Sequence, residues 1–169
     1  MKTKKIAYLG IMLALAMIFS YVESLIPIYF GVYGMKLGLP NIVILLVLYL
    51  FGPWEAILIN ILRILLTGVM FTNLYSILFS LSGAICSFVV MYLLKKTKRF
   101  HMIVISVFGG IFHNAGQLLA AIWIVNNYHL SFYLPILLIA GFITGLLIGI
   151  AANEIYIRCN KIFFLKEIE

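Results

Sequence analysis

The most constraining feature of this sequence is a succession of long apolar runs, the first beginning at Ile6 and the last ending near Tyr156. Short clusters of Pro, Gly, Asn or Lys separate the runs. Only 10% of the residues are charged and 65% are hydrophobic, whereas a soluble domain is roughly a quarter charged. Runs of this length predict an all-α integral membrane protein and not a soluble globule with buried helices.

The residues between the runs predict six transmembrane helices in a single domain, residues 1–169. Pro27 closes the first run, Pro40 suits the first turn of the second, and Gly52-Pro53 separates the second from the third. The predicted helices cover residues 6–24, 40–51, 54–71, 74–94, 101–125 and 132–156. The second is short for a span. The segment before it, residues 26–38, is predicted to be an apolar, Gly- and Tyr-rich loop at the outer face.

The distribution of basic residues predicts that both termini are cytoplasmic and that the protein is a multi-pass protein of the cell membrane. Ten of the twelve Lys and Arg residues fall on the side that the two termini share, which the positive-inside rule assigns to the cytoplasm. The net charge of +7 therefore predicts topology and contact with the lipid bilayer, not binding of nucleic acid. The two exceptions are Lys36, in the outer loop, and Arg63, inside the third helix.

Polar side chains inside the predicted spans gather from the membrane midplane toward the outer face. Arg63 lies about ten residues into its helix, where an arginine costs roughly 2.5–3.5 kcal/mol and needs a partner or a cavity. Because His113 and Gln117 are spaced i,i+4 and Asn114 and Gln117 are spaced i,i+3, all three are predicted to lie on one helix face. The predicted substrate-binding residues are Glu23, Tyr33, Lys36, Asn41, Asn60, Arg63, His113, Asn114 and Gln117.

Structural interpretations of these residues stay open. Arg63 is either a ligand contact or a structural cation paired with Glu23 or with backbone carbonyls. Asn114 and Gln117 either contact ligand or bridge helices. A lone interior histidine such as His113 is more often satisfied within the protein than a ligand or proton carrier. The polar residues predict a substrate cavity that opens outside and is covered by the loop of residues 26–38. Since arginine offers a planar fork of donors, this cavity suits a small organic molecule with an anionic or strongly accepting group. No cofactor and no metal site are predicted.

Three helices carry stripes of small residues, which let helices approach closely in lipid. The stripes of the fourth and sixth helices are predicted to pack inside the bundle. The stripe of the first helix serves either packing or the docking of a partner subunit. The three stripes are Ala7, Gly10 and Ala14; Ser76, Ser80 and Ala84; and Gly141, Gly145 and Gly149.

Five motifs together resemble the Gx transporter family, also called the heptaprenyl diphosphate synthase component I family. The resemblance covers about residues 5–160. Its most specific parts are the Lys-Leu-Gly-Leu-x-Asn motif before the second helix and the His-Asn-x-Gly-Gln motif in the fifth helix. The motifs are Lys36-Leu37-Gly38-Leu39-Pro40-Asn41, Gly52-Pro53-Trp54-Glu55-Ala56, Arg63-Ile64-Leu65-Leu66-Thr67-Gly68, Ser82-Gly83-Ala84 and His113-Asn114-Ala115-Gly116-Gln117.

That family is similar to the substrate-binding S components of energy-coupling factor transporters. The resemblance implies six helices, a ligand site near the outer face covered by the first loop, and docking of Ala7, Gly10 and Ala14 onto a transmembrane coupling subunit with two cytoplasmic ATPases. Family context implies a vitamin-, flavin-, quinone- or isoprenoid-like solute. The sequence itself contains no Walker-type glycine loop, so energy for active transport must come from a partner or an ion gradient.

Two other functions stay open. One alternative is a non-catalytic membrane partner of a prenyl diphosphate synthase. The chain is not expected to be an enzyme, because such synthases hold diphosphate through magnesium on aspartate-rich motifs and this sequence contains no Asp. The other alternative is a stand-alone carrier coupled to protons, with His113 or Glu23 titrating; the absence of a clear inverted repeat disfavours it.

Overall fold

The computed structural model describes residues 2–25 and 38–166, with side chains for residues 3–25 and 38–160. These residues form six α-helices and one short 3-10 helix. The helices are α1 (Lys2–Leu25), α2 (Asn41–Leu50), α3 (Pro53–Phe71), α4 (Leu74–Lys96), α5 (Met102–Val125) and α6 (Leu134–Lys166), and the 3-10 helix, Tyr128–Tyr133, precedes α6. The predicted all-α membrane fold is confirmed at this level.

Five of the helices, all except α2, are long and apolar enough to cross a membrane. At a rise of about 1.5 Å per residue, the ten residues of α2 extend over only about 15 Å, half the hydrocarbon thickness of a bilayer. Yet α2 is the most enclosed element, with every residue from Val43 to Leu48 buried. It contacts α1, α3 and α6 and forms the centre of the main hydrophobic core.

The helix ends have local causes that the sequence predicted. Gly52 adopts a φ of 116°, which favours glycine, and Pro53 then begins α3. Asn73 caps α4 by accepting a hydrogen bond from the Ser76 N–H at 2.9 Å. Asn126 ends α5 in the left-handed region with a φ of 52°. The last helix continues ten residues beyond the predicted end at 156, and an i,i+4 ion pair joins Arg158 of this extension to Glu154 before it.

Helices α4, α5 and α6 form the most closely packed part of the bundle. A methyl group built on Gly110 would lie 2.3 Å from the Gly141 carbonyl oxygen, and one on Gly145 would lie 2.8 Å from the Ser106 carbonyl oxygen. The backbones of α5 and α6 are therefore in direct contact along the glycine stripe. Ser76, Ser80 and Ala84 of α4 are also buried. The prediction that the stripes of α4 and α6 pack inside the bundle is confirmed.

By contrast, α1 is the least buried of the long helices. It packs on α3 and α2 through one face, on which Ala16, Ser20 and Glu23 are buried at i, i+4 and i+7. Ala7, Gly10 and Ala14 are exposed, and a methyl group built on Gly10 would meet nothing within 4 Å. The small-residue stripe of α1 is thus not used for packing among the described residues.

Candidate functional site

The candidate site centres on Arg63, whose side chain is buried inside the bundle at 4% exposure. Its Nη1 donates to the Ser20 hydroxyl of α1 at 3.2 Å, and its Nη2 donates to the Asn60 amide oxygen at 2.7 Å, one helical turn earlier on α3. The third donor group, Nε, is buried and has no hydrogen-bond partner among the described residues. One donor of the guanidinium fork is therefore available for another acceptor.

The Glu23 carboxylate lies at the N-terminal end of α2. One of its oxygens accepts hydrogen bonds from the backbone N–H groups of Gly38 and Leu39, the second at 3.2 Å. These two N–H groups belong to the turn before α2, and buried backbone N–H groups need an acceptor. The first N–H groups of α2 itself bond to the carbonyl oxygens of this turn. The same carboxylate also acts electrostatically on Arg63. Glu23 therefore connects α1, the entry to α2 and the buried arginine.

His113 of α5 lies against Gly38, and Gln117 lies one helical turn further along α5. A methyl group built on Gly38 would lie 2.8 Å from the Asn41 amide nitrogen and 3.3 Å from His113 Cδ2, and Gly38 also has a φ of 87°. His113 Nε2 and Gln117 Nε2 are 3.2 Å apart. Because an amide nitrogen only donates, His113 Nε2 is the acceptor in this contact. The turn into α2 is thus held between an acidic side chain of α1 and a polar pair of α5.

Arg63 and His113 lie at similar distances along their helices. Arg63 is ten residues from the start of α3 and His113 eleven from the start of α5, which places each about 15–17 Å from that end. Asn41 is a similar distance from the end of α2, where the Lys95 ammonium of α4 donates to the Leu48 carbonyl. The N-terminus of α2 therefore lies in the interior of the bundle and not at its outer surface.

The model of one protein family, heptaprenyl diphosphate synthase component I, matches residues 12–155. The chain belongs to this family. No curated protein and no solved structure matches it. The family match extends over all the polar residues described above, from Ser20 to Gln117, and ends before the last turns of α6. The resemblance expected from the sequence is confirmed for the family.

The remaining predicted residues of this family member lie in different places. Asn114 points away from His113, because its amide nitrogen donates to the Leu137 carbonyl oxygen of α6 at 2.9 Å. Lys36 and Tyr33 lie outside the described residues. The structure thus brings Glu23, Asn41, Asn60, Arg63, His113 and Gln117 together and directs Asn114 to the α5–α6 contact.

An apolar cavity of about 140 Å³ lies beside this cluster, between α3 and α4. Its lining includes Ile57, Ile64 and Phe88, and Asn60 contributes polar surface. It is open toward the outside of the bundle, because three of its lining side chains, Ile61, Ile85 and Val89, are exposed. Asn60 therefore joins an apolar space to the Arg63 guanidinium. Among the described residues no three His, Cys, Asp or Glu side chains are grouped to hold a metal ion.

Two members of the cluster were not predicted from the sequence. Ser20 provides a hydroxyl to Arg63, and the backbone N–H groups of Gly38 and Leu39 hold Glu23. A signal for Ser20 existed, since it shares the buried face of α1 with Ala16 and Glu23. The backbone donors left no signal in residue type, because any residue other than proline carries one.

Proposed function

We propose that this chain is the substrate-binding membrane subunit of an ATP-driven transporter of the energy-coupling factor type. The observation that supports the proposal best is the buried Arg63, with one guanidinium donor unpartnered among the described residues. Buried charges within membrane-spanning segments are expensive and mark functional sites by default. In this proposal the chain binds a solute and does not catalyse a reaction. The proposed topology has six membrane spans and both termini in the cytoplasm.

The proposed ligand is a small organic solute with an anionic or strongly accepting group and an apolar part. The accepting group binds the Arg63 fork, which matches planar acceptors such as carboxylates. The apolar part fits the space between α3 and α4 that borders Asn60. Vitamin-, flavin- and isoprenoid- or quinone-precursor-like molecules have this combination. Asn41, His113 and Gln117 complete the polar wall, and the first loop is proposed to cover the site.

The exposed stripe of α1 is the proposed docking surface for the transmembrane coupling subunit, which in turn binds two cytoplasmic ATPases. Ala7, Gly10 and Ala14 present little side-chain volume, so another helix can approach closely. The buried face of the same helix supplies Ser20 and Glu23 to the polar cluster. In this proposal one helix contacts both the coupling subunit and the ligand site.

The ligand site is tested by native mass spectrometry of the protein purified gently in nanodiscs. We expect a retained small molecule on the wild type that is lost in Arg63→Met. Methionine fills similar space but leaves the Glu23 charge without its cation, which is destabilising, so the variant is first shown to insert and to elute as a folded protein. The matched control is Arg158→Met, because Arg158 is exposed and paired with Glu154. Retention of the same mass by Arg63→Met would show that the arginine is structural.

The docking surface is tested by purification of the tagged chain from its native membrane. We expect a membrane coupling protein and ATPases to co-purify, and Gly10→Leu or Ala14→Leu to abolish this. Ala151→Leu is the control, since Ala151 is an exposed small residue on α6. Repeated purification without ATPases would contradict a transporter subunit.

A second candidate function follows from the family itself, whose description names a component of a heptaprenyl diphosphate synthase. In this alternative the chain is a non-catalytic membrane partner of the synthase. Its test is prenyl synthase activity reconstituted with and without this chain. Activity that rises in proportion to added chain and saturates at a fixed stoichiometry would favour this function over transport.

A further inference from the structure

A second, much smaller cavity lies between α2, α4, α5 and α6, with a volume of about 10 Å³. Its lining combines three polar side chains, one from each of α2, α4 and α5, with glycines of α5 and α6. The polar residues are Asn41, Ser87 and Ser106, and all three are buried. It shares Asn41 with the polar cluster around Arg63 but is otherwise separate from that cluster.

The Ser87 hydroxyl is the informative group in this cavity. Its residue is 1% exposed, and the oxygen has no hydrogen-bond partner among the described residues. Helical serines commonly bond to the carbonyl oxygen four residues earlier, as Thr67 does with the Arg63 carbonyl at 2.7 Å. A buried hydroxyl left without a partner costs about 1–3 kcal/mol, so such groups are paired with protein or with ordered water.

The size and chemistry of the cavity select its occupant. A volume of about 10 Å³ is close to that of one water-sized sphere, the minimum that holds a water molecule. Two hydroxyls and one amide offer the two to four hydrogen bonds that a buried water makes. A metal cation also prefers oxygen ligands, but none of the lining residues carries a negative charge, and an uncompensated buried charge is costly.

We infer that this cavity is a binding site for one ordered water molecule that bridges Ser87 of α4, Ser106 of α5 and Asn41 at the first turn of α2. The water ties the N-terminus of the short central helix to the closely packed α4–α5 pair. Since Asn41 also contacts Gly38, the site supports the turn on which Glu23 and His113 converge. This inference holds whether or not the chain transports a solute.

The direct test is an experimental structure at a resolution that shows ordered water. We expect one density peak within hydrogen-bonding distance of Ser87 Oγ and of Ser106 or Asn41. Gly109→Ala should remove it, because the added methyl would lie 3.3 Å from Ser87 Oγ, and its nearest other neighbours are flexible atoms of Met91. Ser82→Ala should keep it, since the Ser82 hydroxyl bonds to the Gly116 carbonyl instead. A wild-type structure without the peak overturns the inference.

A second test needs no high-resolution structure. We expect Ser87→Ala and Ser106→Ala to lower the melting temperature together by less than the sum of their separate effects, because both act on one water. The control pair, Ser87→Ala with Ser82→Ala, should be additive. Additive effects in the first pair overturn the inference. Evidence for a bound cation would also overturn the inference. That evidence would be a wild-type melting temperature that is higher in sodium or potassium chloride than in choline chloride, with no such difference in Ser87→Ala.

Discussion

The close contact between α5 and α6 makes Gly110→Ala strongly destabilising. The added methyl would lie 2.3 Å from the Gly141 carbonyl oxygen, 3.1 Å from Gly145 Cα and 3.2 Å from Gly145 N. All three are backbone atoms of the facing helix, so no side chain can rotate away. Restoring ordinary contact requires the helices to separate by about 1 Å, which disturbs packing along the whole stripe.

The expected loss of stability in Gly110→Ala is the difference between two opposed effects. Overpacking a close contact costs about 1–3 kcal/mol, and rigid backbone atoms place this case at the upper end. Alanine in place of a helical glycine stabilises the helix by up to about 1 kcal/mol, because alanine has the higher helix propensity. We therefore expect a net loss of about 2 kcal/mol, or roughly 4–8 °C in melting temperature for a protein of this size. The matched control is Gly10→Ala, which gains the propensity and meets nothing within 4 Å.

A thiol-reactive fluorescent dye provides the assay, since the sequence contains only two cysteines, Cys86 and Cys159. Cys86 packs against Gly116 at the α4–α5 contact, so it reacts when that contact opens. A Cys159→Ser background limits the signal to this position. Equal melting temperatures for Gly110→Ala and Gly10→Ala would refute the close approach of α5 and α6.

Two further predictions concern single interactions. Asn114→Ala removes the hydrogen bond to the Leu137 carbonyl. It should destabilise the protein by about 0.6–1.7 kcal/mol, from the average to the maximum for such bonds in membranes. An unchanged melting temperature would contradict a bridging role. Lys5→Gln removes the partly exposed ion pair with Glu55. The melting temperature should therefore fall by no more than about 4 °C at low salt and by less at 1 M salt. A larger or salt-independent loss would show that the pair is shielded from solvent.

Hydrophobic periodicity and turn chemistry were sufficient to predict most of the helix ends. The predicted third and fourth helices, residues 54–71 and 74–94, differ from α3 and α4 by at most two residues at each end. The signals were strong there, since Gly52-Pro53 and Asn73 act through local backbone geometry. The extension of α6 beyond 156 was missed because the prediction ended the helix with the apolar run, whereas its helical hydrogen bonds continue past it.

The composition of the polar cluster was also largely predictable, but its internal pairing was not. Residue type and spacing identified Arg63, Asn60, His113 and Gln117, since polar groups in apolar helices avoid lipid. Spacing along one helix does not reveal which neighbouring helix a side chain faces. His113 and Asn114 are adjacent in sequence, yet one faces Gly38 and the other bonds to α6.

The length of α2 explains why the polar groups meet where they do. A helix that crossed the whole membrane would place its first N–H groups near water, far from Arg63. Because α2 has only ten residues, the turn before it lies in the bundle interior, where the Gly38 and Leu39 N–H groups require an acceptor. Glu23 provides that acceptor, and its negative charge in turn favours a cation nearby, which Arg63 supplies. In the proposed function a ligand anion at Arg63 competes with Glu23, so ligand binding and the position of α1 are linked.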